Sequence, residues 1–257
     1  MKAAAIPKSS ARRHVLLATL GAARFDALAS ALGGRGADVS ILSQRERPPG
    51  QGAAPDPLMA RVHQARWDAA SRATTLRSVQ DLLRESGAPS QLVVQALPAA
   101  ALAGLAVADH DENAWHAASG AAALQVVHLL QALAPELIAQ RASIVFVGPS
   151  LALVGAERLT ALVTLLESLR GLMKSLARQW GAHGITCNWI ALEASELWPG
   201  FGDYKLPGRL EAVPVALGRR PDAGADLAGV LDFLAGPAGR NVTGATLCLD
   251  GGEWLTP

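Results

Sequence analysis

The chain has 257 residues, half of them apolar, with 23 Lys and Arg against 22 Asp and Glu and a formal net charge of +1. That is enough apolar chain to bury a large core in one α/β domain, and it excludes the net field that would draw in nucleic acid or an anionic membrane surface. Only two cysteines occur, Cys187 and Cys248, far apart and without a Cys-x-x-Cys pair, so neither a disulfide framework nor a zinc site is expected. Both are read as small buried hydrophobes in a reducing cytoplasm, and no metal is expected.

In chain order, residues 1–12 form an N-terminal tail and 13–257 a single domain. Arg12-Arg13 followed by an apolar run imitates a short export signal, but the same run supplies the first buried strand, Val15 to Thr19. The first helix follows over Arg24 to Gly33, then a strand over Asp38 to Leu42. Arg45 to Pro57 is rich in Gly and Pro and reads as loop. A strand over Arg61 to Trp67 leads to a helix over Ser71 to Glu85, and a strand over Gln91 to Gln95 to an Ala-rich loop, Pro98 to Ala108. A long helix over Asn113 to Gln140, a strand over Ser143 to Val147 and a second long helix over Glu157 to Trp180 come next. The series closes with a strand over Ile185 to Ile190, a loop over Ala194 to Leu210, a helix over Asp222 to Ala235 and a strand over Thr246 to Leu249. Strands alternating with helical patterns predict βαβ units, and right-handed crossovers make them a Rossmann-like, doubly wound parallel sheet of about seven strands with helices on both faces. No apolar run reaches the roughly 18 residues a bilayer span needs. No repeat is present.

The C-terminal half carries a specific likeness. The segments Ser175 to Asn188 (SLARQWGAHGITCN), Arg219 to Ala228 (RRPDAGADLA) with Phe233 to Ala235, and Val242 to Gly252 (VTGATLCLDGG) resemble, in order and spacing, the closing helices and strands of the short-chain dehydrogenase/reductase family. Arg35-Gly-Ala37, Asp68 and Trp115 are weaker markers of the same likeness, which covers roughly residues 12 to 254. The resemblance implies a nicotinamide cofactor held by a Thr-Gly-x-x-x-Gly-x-Gly turn, a Ser-Tyr-Lys catalytic group with an Asn relay, and tetramers built through the two long helices.

The residues at those positions depart from the family pattern. The glycine turn falls on Ala18, Thr19, Leu20, Gly21, Ala22, Ala23, Arg24 and Phe25, so all three glycines are replaced, and Gly21 marks at most a shifted turn. After the second strand Ser43-Gln44-Arg45 replaces the carboxylate that would favour NAD, so any residual preference is for NADP. The family's Asn-Asn-Ala-Gly falls on Gln95 to Pro98. The Tyr position is Leu162, the Lys position Leu166, the Ser position Pro149 and the Asn position Ala122, none able to transfer a proton. The chain's one tyrosine, Tyr204, has Gly208 four residues on, so no Tyr-x-x-x-Lys exists in any register. Leu162 and Leu166, one helical turn apart, read as a plug in the former site.

These readings lead to a non-catalytic subunit, a structural or regulatory partner of an active dehydrogenase/reductase acting on an acyl thioester or a similar carbonyl or alcohol substrate, with no cofactor expected. The partner is either a copy of the chain or an intact family member. The helix over 157–180 has apolar residues at Leu159, Leu162, Val163, Leu166, Leu169, Leu172, Met173 and Leu176, more than one stripe, so its surplus is expected to face a neighbour. The alternative is an unorthodox NADP-dependent oxidoreductase whose lid carries Trp198, Phe201 and Tyr204. A third reading, hydrolase, rests on Gly148-Pro-Ser-Leu-Ala152, a poor imitation of a nucleophile elbow. His110 and His116, flanking Asp111 and Glu112, mark a helix start, where an acidic residue caps the helix and does not bind metal.

Overall fold

A computed structural model describes residues 12–21, 25–44, 62–198, 201 and 215–255. Seven parallel strands, β1 (His14–Gly21), β2 (Asp38–Ser43), β3 (His63–Arg66), β4 (Gln91–Leu97), β5 (Ser143–Pro149), β6 (Thr186–Leu192) and β7 (Thr246–Leu249), lie in the order β3-β2-β1-β4-β5-β6-β7. The doubly wound sheet expected from the sequence is therefore present. β4 and β5 are buried at every position because helices cover both faces of the sheet, which is why their sequences read as unbroken apolar runs.

The helices are α1 (Asp26–Gly34), α2 (Arg72–Ser86), α3 (Glu112–Trp115), α4 (Ala121–Gln140), α5 (Thr160–Trp180), α6 (Ala194–Leu197) and α7 (Ala225–Ala235). Ser71 and Thr74 close a reciprocal capping box at the start of α2, and the Asp111 carboxylate accepts from the Ala114 amide at 2.8 Å, the capping role expected of it. The long helix of the fourth crossover is interrupted by a π turn at His116–Gly120. α5 begins three residues later than its periodicity suggests. Arg158 adopts left-handed backbone (φ 62°) and donates from Nε to the Gly104 carbonyl at 2.8 Å, so the chain is still turning there. The stretch Ala194 to Leu210, expected to be loop throughout, opens with the short helix α6, because the Glu193 carboxylate caps it by accepting from the Ser195 amide.

Two further expectations are corrected. Cys248 is exposed on edge strand β7; only Cys187 is buried, where desolvation pushes its thiol up to about 12. Glu112–Gln140 is, by length and composition, apolar enough to cross a membrane, with an 18-residue window of mean hydropathy 1.4. Scattered polar residues break its apolar runs, but its abundant Ala and Leu keep the mean high. In the fold it lies between α2 and α5, burying Val126, Leu129, Leu130, Leu133 and Leu137.

The motifs that carried the family likeness hold strands and turns together. Fully buried Asn188 on β6 donates to the Val242 carbonyl at 2.7 Å and accepts from the Ala245 amide at 3.2 Å, fastening the turn before β7. Gly244 in that turn needs φ 73° to place its amide 2.7 Å from the Cys187 carbonyl. These residues specify shape and say nothing about chemistry.

Candidate functional site

In an open α/β sheet, ligands bind beyond the carboxyl ends of the strands, beside the point where strand order reverses, here between β1 and β4. β1 ends at Gly21, whose φ is 93°. A Cβ there would fall 1.9 Å from the Leu97 carbonyl oxygen, so the glycine is needed for the close approach of β4. Ala18 is buried within β1, and Phe25 is a buried residue at the head of α1, which has no side-chain cap. Ala23 lies outside the described residues, as do Arg45 and Tyr204. Thr19 and Gln95 face each other in register across β1 and β4, both buried. The Thr19 hydroxyl and both polar atoms of the Gln95 amide lack a partner among the described residues.

The positions that the sequence assigns to the family's acid and base carry hydrocarbon side chains, and the fold buries them. Leu162 and Leu166 are each 1 % exposed on α5, and Ala122 on α4 is also buried. Trp189 on β6 completes the packing. A Cβ on Gly148 would meet the Trp189 ring at 2.5 Å and the end of Leu166 at 3.3 Å, so indole and leucine close over the glycine. Phe146 lies nearly parallel to the indole, ring centres 6.2 Å apart. Pro149 ends β5, and the adjacent Ser150 is fully buried, its hydroxyl 3.3 Å from a Glu253 carboxylate oxygen.

That contact leads to a polar group that sequence reasoning missed. Glu193, at the end of β6, is fully buried and accepts from the Arg220 guanidinium at 3.0 Å, from the Ser195 amide at 3.1 Å and from the Ser195 hydroxyl. Arg220 also reaches the Ser195 hydroxyl at 3.1 Å. Burial, followed by the nearby charge of Glu193, pushes the Glu253 carboxyl above its ordinary value; the Ser150 hydrogen bond and Arg220 oppose the rise, and Asp250 adds to it. The available signal was a glutamate ending a run of buried strand residues, which demands a cation nearby. That the cation is Arg220, 27 residues on, was not readable.

A carboxyl whose folded value is raised favours the fold while protonated, and that contribution is lost as pH rises through the raised value. Glu253→Gln should therefore melt higher than the parent chain at pH 7, and the gap should close on acidification below about 4.3, the ordinary glutamate value. A gap that stays constant between pH 4 and 8 would show that Glu253 titrates normally.

A family model described as enoyl-(acyl carrier protein) reductase matches residues 26–253. The chain belongs to the short-chain dehydrogenase/reductase family. Among curated relatives of this short-chain dehydrogenase/reductase are an L-rhamnose 1-dehydrogenase (NAD(P)(+)) of Sphingomonas sp. (strain SKA58), 36% identical over 134 residues, 49% of this chain and 51% of that protein, and Protein MoaE of Klebsiella aerogenes, 29% identical over 140 residues, 48% and 52%. The matched region spans about half the length of each. Solved structures with the same fold include a 3-ketoacyl-(acyl-carrier-protein) reductase from Brucella melitensis complexed with NADH (TM-score 0.73, 18% identity, 94% of this chain and 98% of that one). Another is acetoin dehydrogenase YohF from Salmonella typhimurium (0.73, 18%, 95% and 97%).

Within this family member the two remaining sequence candidates fare differently. The Gly148-Pro-Ser-Leu-Ala152 elbow fails, because Ser150 is sealed from solvent, bonded to a carboxylate and followed by a 3-10 turn over Ser150–Leu153 in place of a helix. Trp198 and Phe201 do meet, ring centres 5.6 Å apart, half-buried against the core beside α6.

Proposed function

We propose that this short-chain dehydrogenase/reductase is a non-catalytic subunit, a structural or regulatory partner of an active relative working on an acyl thioester or a similar carbonyl or alcohol substrate. The observation that carries the reading is the packed hydrocarbon at the acid-base positions: Leu162 and Leu166 buried, with Trp189 closed over Gly148. The described cofactor positions do not fit a dinucleotide pyrophosphate either. The approach at Gly21 is taken up by Leu97, and Phe25 stands where the family's third glycine lets helix and phosphate close together. The expected result is no turnover of carbonyl or acyl-thioester substrates by the pure chain with NADH or NADPH, and co-purification with an intact relative when both are expressed. Turnover above background that disappears in Tyr204→Phe would overturn it.

The outward surface that would meet such a partner is narrower than the sequence suggested. Leu159, just before α5, and the stripe Leu162, Leu166, Leu169, Met173 and Leu176 along it are buried in the chain's own core, so Leu169 does not face outward and Leu169→Glu would unfold the subunit. Leu124 on α4 is half-exposed at 51 %, and Leu76 on α2 at 41 %. Leu124→Glu should leave the melting temperature of the isolated subunit within about 2 °C, since exposed substitutions usually change stability by less than ~0.5 kcal/mol, while lowering the assembly mass seen by light scattering. A parent chain that is monomeric at micromolar concentration, and stays so with an intact relative present, would dismiss the partner reading.

One observation favours a second reading, an atypical NADP-dependent oxidoreductase. Glu253, its carboxyl held toward the protonated form, stands with Ser150, Glu193 and Arg220 near the ends of β5 and β6, where a family member would place proton-handling groups. Enhanced NADPH fluorescence on mixing with the pure protein, abolished in Glu253→Gln, would favour this reading over the first.

A further inference from the structure

The opposite edge of the sheet, where the strands begin, carries a cleft that no part of the dehydrogenase architecture above uses. It holds about 200 Å³, opens to solvent on one side, and is bordered by Arg13, Arg141 and Arg240 with Ser90, Ser143 and Thr186. Arg13 pairs with Asp232, a carboxylate it shares with Arg35. Arg141 and Arg240 have no carboxylate partner among the described residues. The carboxyl ends of α4 and α7 also border the cleft, each contributing roughly half a negative charge. Two whole guanidinium charges exceed that, so the cleft remains positive.

Two details indicate a built recess. Arg141 adopts left-handed backbone (φ 50°) directly after α4, and its side chain lies across Gly184, whose missing Cβ would stand 3.3 Å from the arginine Cδ. A side chain at 184 would displace the arginine from the cleft wall. At the first position of β5, Ser143 is 6 % exposed, and its hydroxyl has no hydrogen-bond partner among the described residues although the residue lines the cleft. A buried hydroxyl left unpaired is costly, so a ligand oxygen that it met on turning toward the cleft would recover a bond the protein does not make for itself.

We infer that this cleft binds a small oxyanion, a phosphate group held by the Arg141 and Arg240 guanidinium groups with the Ser143 hydroxyl donating to one of its oxygens. Guanidinium matches phosphate geometry with paired N–H donors, and the volume leaves room for a small body carrying the phosphate. The site lies at the far end of the sheet from the family's cofactor crevice, so it stands whether or not the chain is catalytic.

The test uses the full chain, with inorganic phosphate and glycerol phosphate as probes, compared against sodium chloride at matched ionic strength. Melting temperature should rise saturably with phosphate and not with chloride, and titration calorimetry should give a single site. Arg141→Gly, which suits the left-handed backbone, and Arg240→Gln should each fold and weaken binding at least tenfold; Ser143→Ala should weaken it severalfold. Tighter binding of glycerol phosphate than of inorganic phosphate would identify a phosphate monoester as the occupant, and equal binding the free anion. Equal responses to phosphate and chloride, or phosphate binding unchanged in both arginine variants, would overturn the inference.

Discussion

Replacing Leu166 with lysine should lower the melting temperature by roughly 10 °C and restore no dehydrogenase activity, alone or together with Leu162→Tyr. Both leucines are 1 % exposed, and the end of Leu166 packs over Gly148 beside the Trp189 indole. An ammonium group placed there leaves water for a packed interior, where an unpaired charge costs about 3–5 kcal/mol. For a chain of this size each kcal/mol is worth roughly 2–4 °C. The tyrosine adds ring volume and a hydroxyl to a site already filled by leucine, so the double variant should be less stable than either single one. Thermal melts and a steady-state assay with both nicotinamide cofactors check the two halves of this expectation. A variant that melts like the parent would mean that the pocket opens to water, and the non-catalytic reading would lose the observation that carries it.

Arg220→Ala should cost about 2 kcal/mol, roughly 4–8 °C, and Glu193→Gln in the same chain should recover most of the loss. Glu193 is fully buried, and Arg220 is the cation that compensates it; with Arg220 removed, a carboxylate stays in the interior with Ser195 as its donor among the described residues. Because the arginine side chain is 53 % exposed, the loss should fall below that of a fully buried pair. The double-variant cycle separates the ion pair from the packing of the arginine stem. If Glu193→Gln fails to rescue Arg220→Ala, the arginine acts through packing and the carboxylate is stabilised by other means.

The likeness between distant segments proved readable because their residues shape backbone. Asn188 must be an amide to bond both Val242 and Ala245, and Gly244 must be a glycine to turn at φ 73°. That leucine at 162 and 166 cannot transfer a proton is a matter of residue identity, whichever way the side chains point. What faces outward on α5 could not be. Eight apolar positions along the helix suggested a second face, yet the sheet and neighbouring helices bury most of them, including Leu169, and the half-exposed leucines lie instead on α2 and α4. Periodicity reports that a residue is apolar and does not report how wide a groove the rest of the fold will supply.

The sequence by itself determined the family, the doubly wound sheet and the order of its helices, because strand length, helical period and turn residues are local properties of the chain. Only the tertiary structure decided which side chains meet: Trp189 over Gly148, Arg220 with Glu193, Ser150 with Glu253, and Arg141 and Arg240, without a carboxylate partner among the described residues, beside the buried Ser143 at the far end of the sheet. Those contacts join residues on separate elements, brought together by how the strands order and the helices pack, and no local pattern encodes a distance between them.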